Sequence, residues 1–360
     1  MPPLSGALAV LLAVPFATAQ QTLVVGPGQP FANIQSAIAA AAPGDTVLVT
    51  AGTYAELLAV DKGIRLIGQD AQLADFPVLP AVEVHDVPAT QTFVMSGFST
   101  TGSSPWSSVD VAVHDCAGPV LLHDLQAPSL TWSVVVTHCR SVHIAGLQYC
   151  SIRSVDSDTI VEHCTLYEPS FVGAIVDSGV LSLVDCYAAG GIGAPGALVQ
   201  GGLLVATRSQ ISASAFTAFP TPAIASTGGA VLLDPSCVLL PGQGTAPVSG
   251  ATPTIAPFAS LITADDGVTL TVEAHGPAGL PFATLFSAPS PALPTPFGVT
   301  WLDPGTALVL QFAAFDATTR LANVAVPHPP LPPGTAFAVQ SLVFDGGALR
   351  LGVPSAIVVP

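Results

Sequence analysis

The chain has 360 residues, half of them apolar. At roughly 100 to 200 residues per domain that allows two domains with a sizeable core, and it excludes an intrinsically disordered protein. Charged residues make up 8%, with 7 Lys plus Arg against 23 Asp plus Glu and a formal charge of −16; no basic groove can be assembled to hold nucleic acid, a polyanionic polysaccharide or anionic lipid.

In chain order, Leu8 to Phe16 is an apolar run broken at Pro15 and followed by Ala17-Thr18-Ala19. This reads as a secretory signal peptide over residues 1–19, cleaved after Ala19, although no Lys or Arg precedes it. The expected product is secreted or sits at the cell surface. No other apolar stretch approaches the ~20 residues that cross a bilayer as a helix. Next, Phe31, Ile34, Ala37, Ile38 and Ala41 fall at helical spacing, and Pro43-Gly44-Asp45 ends the run. Such a helix can cover the open end of a β stack, whose edges would otherwise invite aggregation.

Short strands follow at Thr46 to Thr50, Glu56 to Val60 and Gly63 to Gly68. The stretches Ile34-Gln-Ser-Ala-Ile38, Gly44-Asp-Thr-Val47, Gly52-Thr-Tyr-Ala-Glu56 and Lys62-Gly-Ile-Arg-Leu-Ile-Gly68 resemble the opening coils of right-handed parallel β-helix proteins of the pectin lyase-like superfamily. The resemblance is specific over Pro30 to Gly68 and pattern-level to about Leu261. It implies the fold and not the reaction. The pectinesterase branch shares an element like Gly52 to Glu56, but its Gln-Asp and Asp-Phe catalytic segments have no counterpart. A pectate-type lyase site is poorly supplied too, since Arg140, Arg153 and Arg208 are the only basic residues after Arg65 in the repeat region.

An internal period then dominates. Val111-Ala-Val-His-Asp-Cys116, Val134-Val-Val-Thr-His-Cys139, Thr159-Ile-Val-Glu-His-Cys164 and Leu181-Ser-Leu-Val-Asp-Cys186 share one template, with cysteines 23, 25 and 22 residues apart. Leu203 to Arg208 is a degenerate fifth copy. Such a repeat cannot bury its own apolar face, so copies stack and their strands pair in parallel. Asp115, His138, His163 and Asp185 precede the cysteines, and Asp and His are enriched at positive φ, as a sharp corner requires. The four cysteines are then expected in one inward vertical file, either as buried thiols or with a bridge between coils ~4.8 Å apart. At ~23 residues per coil about ten coils form, interrupted by loops around Ala74 to Pro88 and Thr100 to Ser108.

A Pro- and Gly-rich linker is expected over 241–258, and beyond it Val268 to Ala274, Ala307 to Phe312, Ala336 to Phe344, Leu349 to Val353 and Ala356 to Val359 read as strands of a small antiparallel sandwich. Leu331 to Val359 resembles the small β domain that ends many large secreted bacterial proteins, which implies a surface or sorting module. The fold class is therefore all-β: a right-handed parallel β-helix with an N-terminal capping helix over 20–261, then a β-sandwich-like domain over 262–360.

The chemistry is less determined. Asp156 and Asp158, with Arg153 nearby, are the most catalytic-looking cluster, because sugar hydrolysis needs two carboxyl groups flanking one bond; Asp-rich turns are more often solvated loops. Trp106, Trp132, Tyr149 and Tyr167 lie in successive coils or their loops and could stack on sugar rings, though an aromatic in such a place more often packs under a loop. His114, Asp115, His138, Glu162, His163 and Asp185 invite a metal reading, but residues in a column do not converge on one ion, so neither metal nor cofactor is expected. The favoured expectation is a non-catalytic secreted or cell-surface protein presenting a face to carbohydrate or a surface partner. The alternative is a polysaccharide lyase or glycoside hydrolase acting on a neutral or weakly charged glycan. Oligomeric state is not legible.

Overall fold

The computed structural model describes residues 20–74, 81–101, 108–126, 131–167, 172–214 and 220–359, without the side chains of 101, 108–110, 131 and 132. The expected signal peptide, Trp106 and much of the two expected loops lie outside the described residues. The first expected loop nevertheless contains a strand, Val82–His85, whose Val-Glu-Val-His alternation seats it in parallel register between Leu58–Val60 and Ser108–His114.

Two long parallel sheets build a β-solenoid. One, here the seam sheet, runs through eleven successive strands from Thr22–Val25 to Thr254–Ile255. The other, the open sheet, runs from Leu58–Val60 through Ser108–His114, Thr131–Thr137 and Gln148–Val155 to Val238–Leu240. The side chains between the sheets form one continuous core from Val25 to Leu233.

One helix is described before the repeat, Ile34–Ala40, and its Ile34, Ala37 and Ile38 are buried in that core. Asn33 caps it by accepting from Ser36 N at 2.9 Å, and the Glu56 carboxylate accepts from Ile34 N and Gln35 N at 2.7 and 2.9 Å. A carboxylate on otherwise orphaned helix N–H groups also meets the positive end of the helix dipole. Tyr54 donates to Thr50 O at 2.9 Å. The Gly52 to Glu56 element thus has a structural explanation in this chain: it ties the capping helix to the first coils.

The corners carry the expected left-handed residues, but there are two sets. Where the chain leaves the open sheet for the seam sheet, Asp86, Asp115, His138 and Asp156 have φ of 54°, 56°, 53° and 46°, and in the later coils Gly179 and Gly202, one register position further on, have 76° and 68°. Where it returns, Asp124, His163, Asp185 and Arg208 have φ of 51° to 52°.

This corrects the single cysteine file. His114 pairs with Thr137 and Thr137 with Val155, so Cys116, Cys139 and Ser157 succeed one another at the first corner. Glu162 pairs with Val184 and Val184 with Thr207, so Cys164, Cys186 and Ser209 succeed one another at the second. Cys139 and Cys164 are therefore not equivalent. In each file a serine follows the cysteines and its Oγ accepts from the cysteine N–H one coil earlier, at 2.9 Å for Ser157 and 3.0 Å for Ser209, and Cys237 succeeds Ser209 in the second file. The six cysteines are free thiols, five of them buried. Burial pushes the Cys164 and Cys186 thiols well above their ordinary range, and Cys237 up to about 11.

The segment expected as a linker instead completes the last coil: Val248–Ser249 and Thr254–Ile255 pair in parallel with the strands before them. Prolines cannot donate to a ladder, so a terminal edge coil is where they are tolerated, and they blunt the edge against further pairing.

Antiparallel sheets follow. Ser260–Asp265, Thr269–His275 and Leu321–Pro327 form one. Pro281–Ser287, Leu308–Ala314, Ala336–Asp345, Ala348–Leu351 and Ser355–Val358 form a second, and Pro289–Thr295 pairs with Gly298–Leu302. Leu270, Val272 and Ala274 of the first meet Phe282, Val339 and Val343 of the second in a separate core. Phe282 and Phe315 stack there at 4.1 Å.

Candidate functional site

These antiparallel sheets pack along the outer face of the seam sheet. Register makes Arg65, Val94, Leu121, His143, Ile160, Ser182, Val205 and Leu232 one outward column, and Ile67, Ser96, His123, Ala145, Glu162, Val184 and Thr207 the next. Val94, Leu121, His143 and Glu162 are buried although they point away from the solenoid core. Ile67, Val94 and Leu121 pack against Ala356 and Val358.

A polar chain crosses this contact. His143 Nε2 lies 3.0 Å from Glu162 Oε2 and 3.3 Å from Ala356 N. Its Nδ1 lies 2.9 Å from His123 Nε2. Ser355 Oγ and Thr263 N donate to Glu162 at 2.6 and 3.1 Å. Burial, and then the neighbouring His143, hold the His123 imidazole well below its ordinary range. At the late coils, Arg320 holds Asp234 through two hydrogen bonds of 3.1 and 2.7 Å, and Arg208 pairs with Glu273.

Within this contact, the late coils of the seam sheet face a cleft of about 440 Å³. Its floor is the outward columns Asp158, Val180, Leu203 and Ile160, Ser182, Val205, Leu232; Phe258, Trp301 and Leu351 to Pro354 form the far wall. Beside it, His138, Arg140, Asp156, Ser157, Asp158 and Gly179 line a corner cleft of about 250 Å³. Asp158 lines both clefts. Desolvation raises its carboxyl above the ordinary aspartate value, Arg140 opposes that shift, and the Asp156 charge adds to it. Arg140 has no ion-pair partner among the described residues.

Of the residues singled out in the sequence, Asp156 and Asp158 come together in the corner cleft. Arg153 does not join them: it lies on the outer face of the open sheet, with Nε 2.8 Å from Asp177 Oδ2. Arg140 takes its place. Tyr149 sits at a β-bulge with φ of 55° and is exposed, and Tyr167 lies in Thr165–Tyr167 of the open sheet. The Trp132 side chain and all of Trp106 lie outside the described residues. Neither Tyr149 nor Tyr167 lines the seam cleft; Trp301 does. The alternation of Val299-Thr-Trp-Leu302 marks a strand, but only docking of the antiparallel sheets brings that tryptophan to the solenoid.

No protein-family model matches the chain, and no curated protein matches it. Among solved structures, full-length tailspike protein 2 of Escherichia coli O157:H7 bacteriophage CAB120 is similar at 9% identity and a TM-score of 0.31. That match covers 89% of this chain and 65% of the tailspike. The chicken interferon gamma receptor alpha chain is similar at 15% identity and a TM-score of 0.20, over 30% of this chain and 52% of the receptor. At those scores neither likeness bears on what this chain does. No described helix is long and apolar enough to cross a membrane.

Proposed function

We propose that this is an extracellular or cell-surface carbohydrate-binding protein whose seam cleft and corner cleft act together on one short segment of a neutral or weakly charged glycan. The observation that carries the reading is the position of Asp158, which joins an apolar floor to a polar corner. Sugars present C–H faces and hydroxyl edges, so Val180, Leu203, Val205 and Trp301 match the first and His138, Arg140, Asp156 and Asp158 the second. A net charge of −16 favours an uncharged ligand over a polyanion.

Binding to a panel of neutral polysaccharides and their oligomers, followed by calorimetry, tests this. Asp158→Asn or Trp301→Ala is expected to weaken binding by about tenfold, the scale of one charge-assisted hydrogen bond or one stacking contact. Wild-type affinity in both variants would sink the reading. A second reading, glycoside hydrolysis, is favoured by one feature: two carboxyl groups in one cleft, with that of Asp158 raised by desolvation as a general acid requires. New reducing ends, lost in Asp158→Asn and Asp156→Asn, would decide for it over binding alone.

A further inference from the structure

We propose that the cleft at the opposite, early-coil end of the seam is a second binding site, built around Arg65 and selective for a single carboxylate on a hydroxylated ligand, an acidic sugar such as a uronate. Arg65 follows Thr22 and Thr46 in the same outward column that ends in the apolar cleft, some seven coils earlier in register. It lines a cavity of about 290 Å³ with Gly44, Gly63, Thr90, Gln91 and Thr92 of the solenoid, closed by Gly334 and Ala336 of the antiparallel sheets.

The charge pattern sets this arginine and Arg140 apart from the others. The chain has 7 basic residues against 23 acidic ones, and Arg153, Arg208, Arg320 and Arg350 each pair with a carboxylate. Arg65 pairs with none among the described residues. Asp45, close in the coil, is committed elsewhere: its two oxygens accept from Gln21 N and Ala42 N, both at 2.8 Å. The one hydrogen bond of the guanidinium among the described residues is Nη1 to Gln20 Oε1 at 3.1 Å. Burial lowers the Arg65 pKa, with no neighbouring acid to offset the cost. An uncompensated, partly desolvated guanidinium in a highly acidic protein is held at a cost that an anion entering the cavity would relieve.

The geometry narrows the anion. Gly334, at φ of 75°, packs so closely on the arginine stem that a Cβ there would lie 3.1 Å from Arg65 Cβ and Cδ. That contact limits the side chain's freedom, and a held planar fork matches a carboxylate bidentately. The Gln91 carbonyl oxygen is used by Gly63 N at 2.8 Å, which leaves its amide NH₂ to donate, and Thr90 and Thr92 belong to the same lining. Donors and hydroxyls around one guanidinium suit a carboxylate flanked by ligand hydroxyls. The field of −16 charges disfavours a polyanion but is outweighed locally for a ligand that buries one charge at the guanidinium.

The site is independent of the glycan reading above, and its test is arranged to keep the two apart. D-glucuronate, D-galacturonate, methyl β-D-glucoside and inorganic phosphate are titrated separately into the full chain, with calorimetry, thermal melting and the Arg Nε–H resonances as readouts. The expected result is saturable binding of a uronate with a rise in melting temperature and movement of the Arg65 Nε–H signal. Binding should fall by about tenfold or more in Arg65→Gln, with partial retention in Arg65→Lys, which keeps the charge and loses the fork. Asp158→Asn and Trp301→Ala should leave uronate binding unchanged. No saturable binding of either uronate, equal binding by Arg65→Gln, or equal affinity for phosphate or the methyl glucoside would each overturn the proposal. Should Arg65→Gln not fold, the Nε–H titration of the wild-type chain decides: an unmoved resonance at saturation overturns it.

Discussion

The two solenoid sheets are built from the same strand, corner and core, yet their outer faces differ. On the open sheet, Val135 and Arg153 alternate with buried Val134, Val136 and Ile152, the pattern of a sheet with one wet face. On the seam sheet, all four residues of Val120–His123 are buried, as are the last four of Ser157–Glu162. Those strands are covered on both sides, and they read as nearly continuous apolar runs for the reason that strands buried on both faces do. Identical backbone geometry therefore carries two different sequence rules, depending on what lies over the sheet. The seam cleft lies between that cover and the late coils.

The sharpest way to break the comparison is to remove the charge beneath the cover. Glu162→Ala strips His143, Ser355 and Thr263 of their shared acceptor. Loss of one partner from a buried ionic network costs about 3–5 kcal/mol. Equilibrium denaturation in urea should register that loss, and a change under 1 kcal/mol, roughly the worth of a surface pair, would mean the seam is loose and wet.

A smaller but cleaner contrast sets Leu121→Ala against Val135→Ala, both outward-pointing positions. The first empties a packed site and should cost about 2–5 kcal/mol, whereas the second should stay within about 0.5 kcal/mol. Equal costs would show that the cover contributes no packing.

The pH response is the subtlest. His123 and His275 are held below the ordinary imidazole value of 6.5, chiefly by burial, with His275 at about 4. The unfolded chain accepts those protons below 6.5 and the folded chain resists them, so stability is present above 6.5 and drains away as pH falls toward 4. His163 and His114 have the opposite sign. Hydrogen bonds to Asp185 and Glu83 raise them, so their contribution is present below 6.5 and is lost as pH rises through the raised values. Melting temperatures between pH 4 and 8 should therefore flatten on the acid side in His123→Gln and on the neutral side in His163→Gln. An unchanged acid limb in His123→Gln would show that the imidazole is not shielded by the seam.

Much of the solenoid is legible in the sequence because its signals are local. Alternation marks the strands, Asp and His mark left-handed corners, and apolar spacing with Pro43 marks the capping helix. What the residues hide is which corner each copy occupies. Both corners ask for the same things, an apolar strand end, a residue tolerant of positive φ and a small inward side chain, so Cys139 and Cys164 look equivalent although they lie at different corners. The candidate site was legible only in part. Asp156 and Asp158 stand out as neighbours in sequence, whereas Arg140 and Trp301 reach their clefts through strand stacking and docking of a distant segment.

By itself, then, the sequence determined an all-β chain of stacked parallel coils with a helix over its first coils and antiparallel strands at its end, because periodicity, corner chemistry and turn residues act within a few positions of themselves. Tertiary structure alone decided that the seam sheet is covered, that a histidine and a glutamate lie buried in its outer face, and where Asp158 and Arg65 meet cavities. The physical reason is that desolvation depends on what packs over a residue, and the residues that pack there lie some two hundred positions away in the chain.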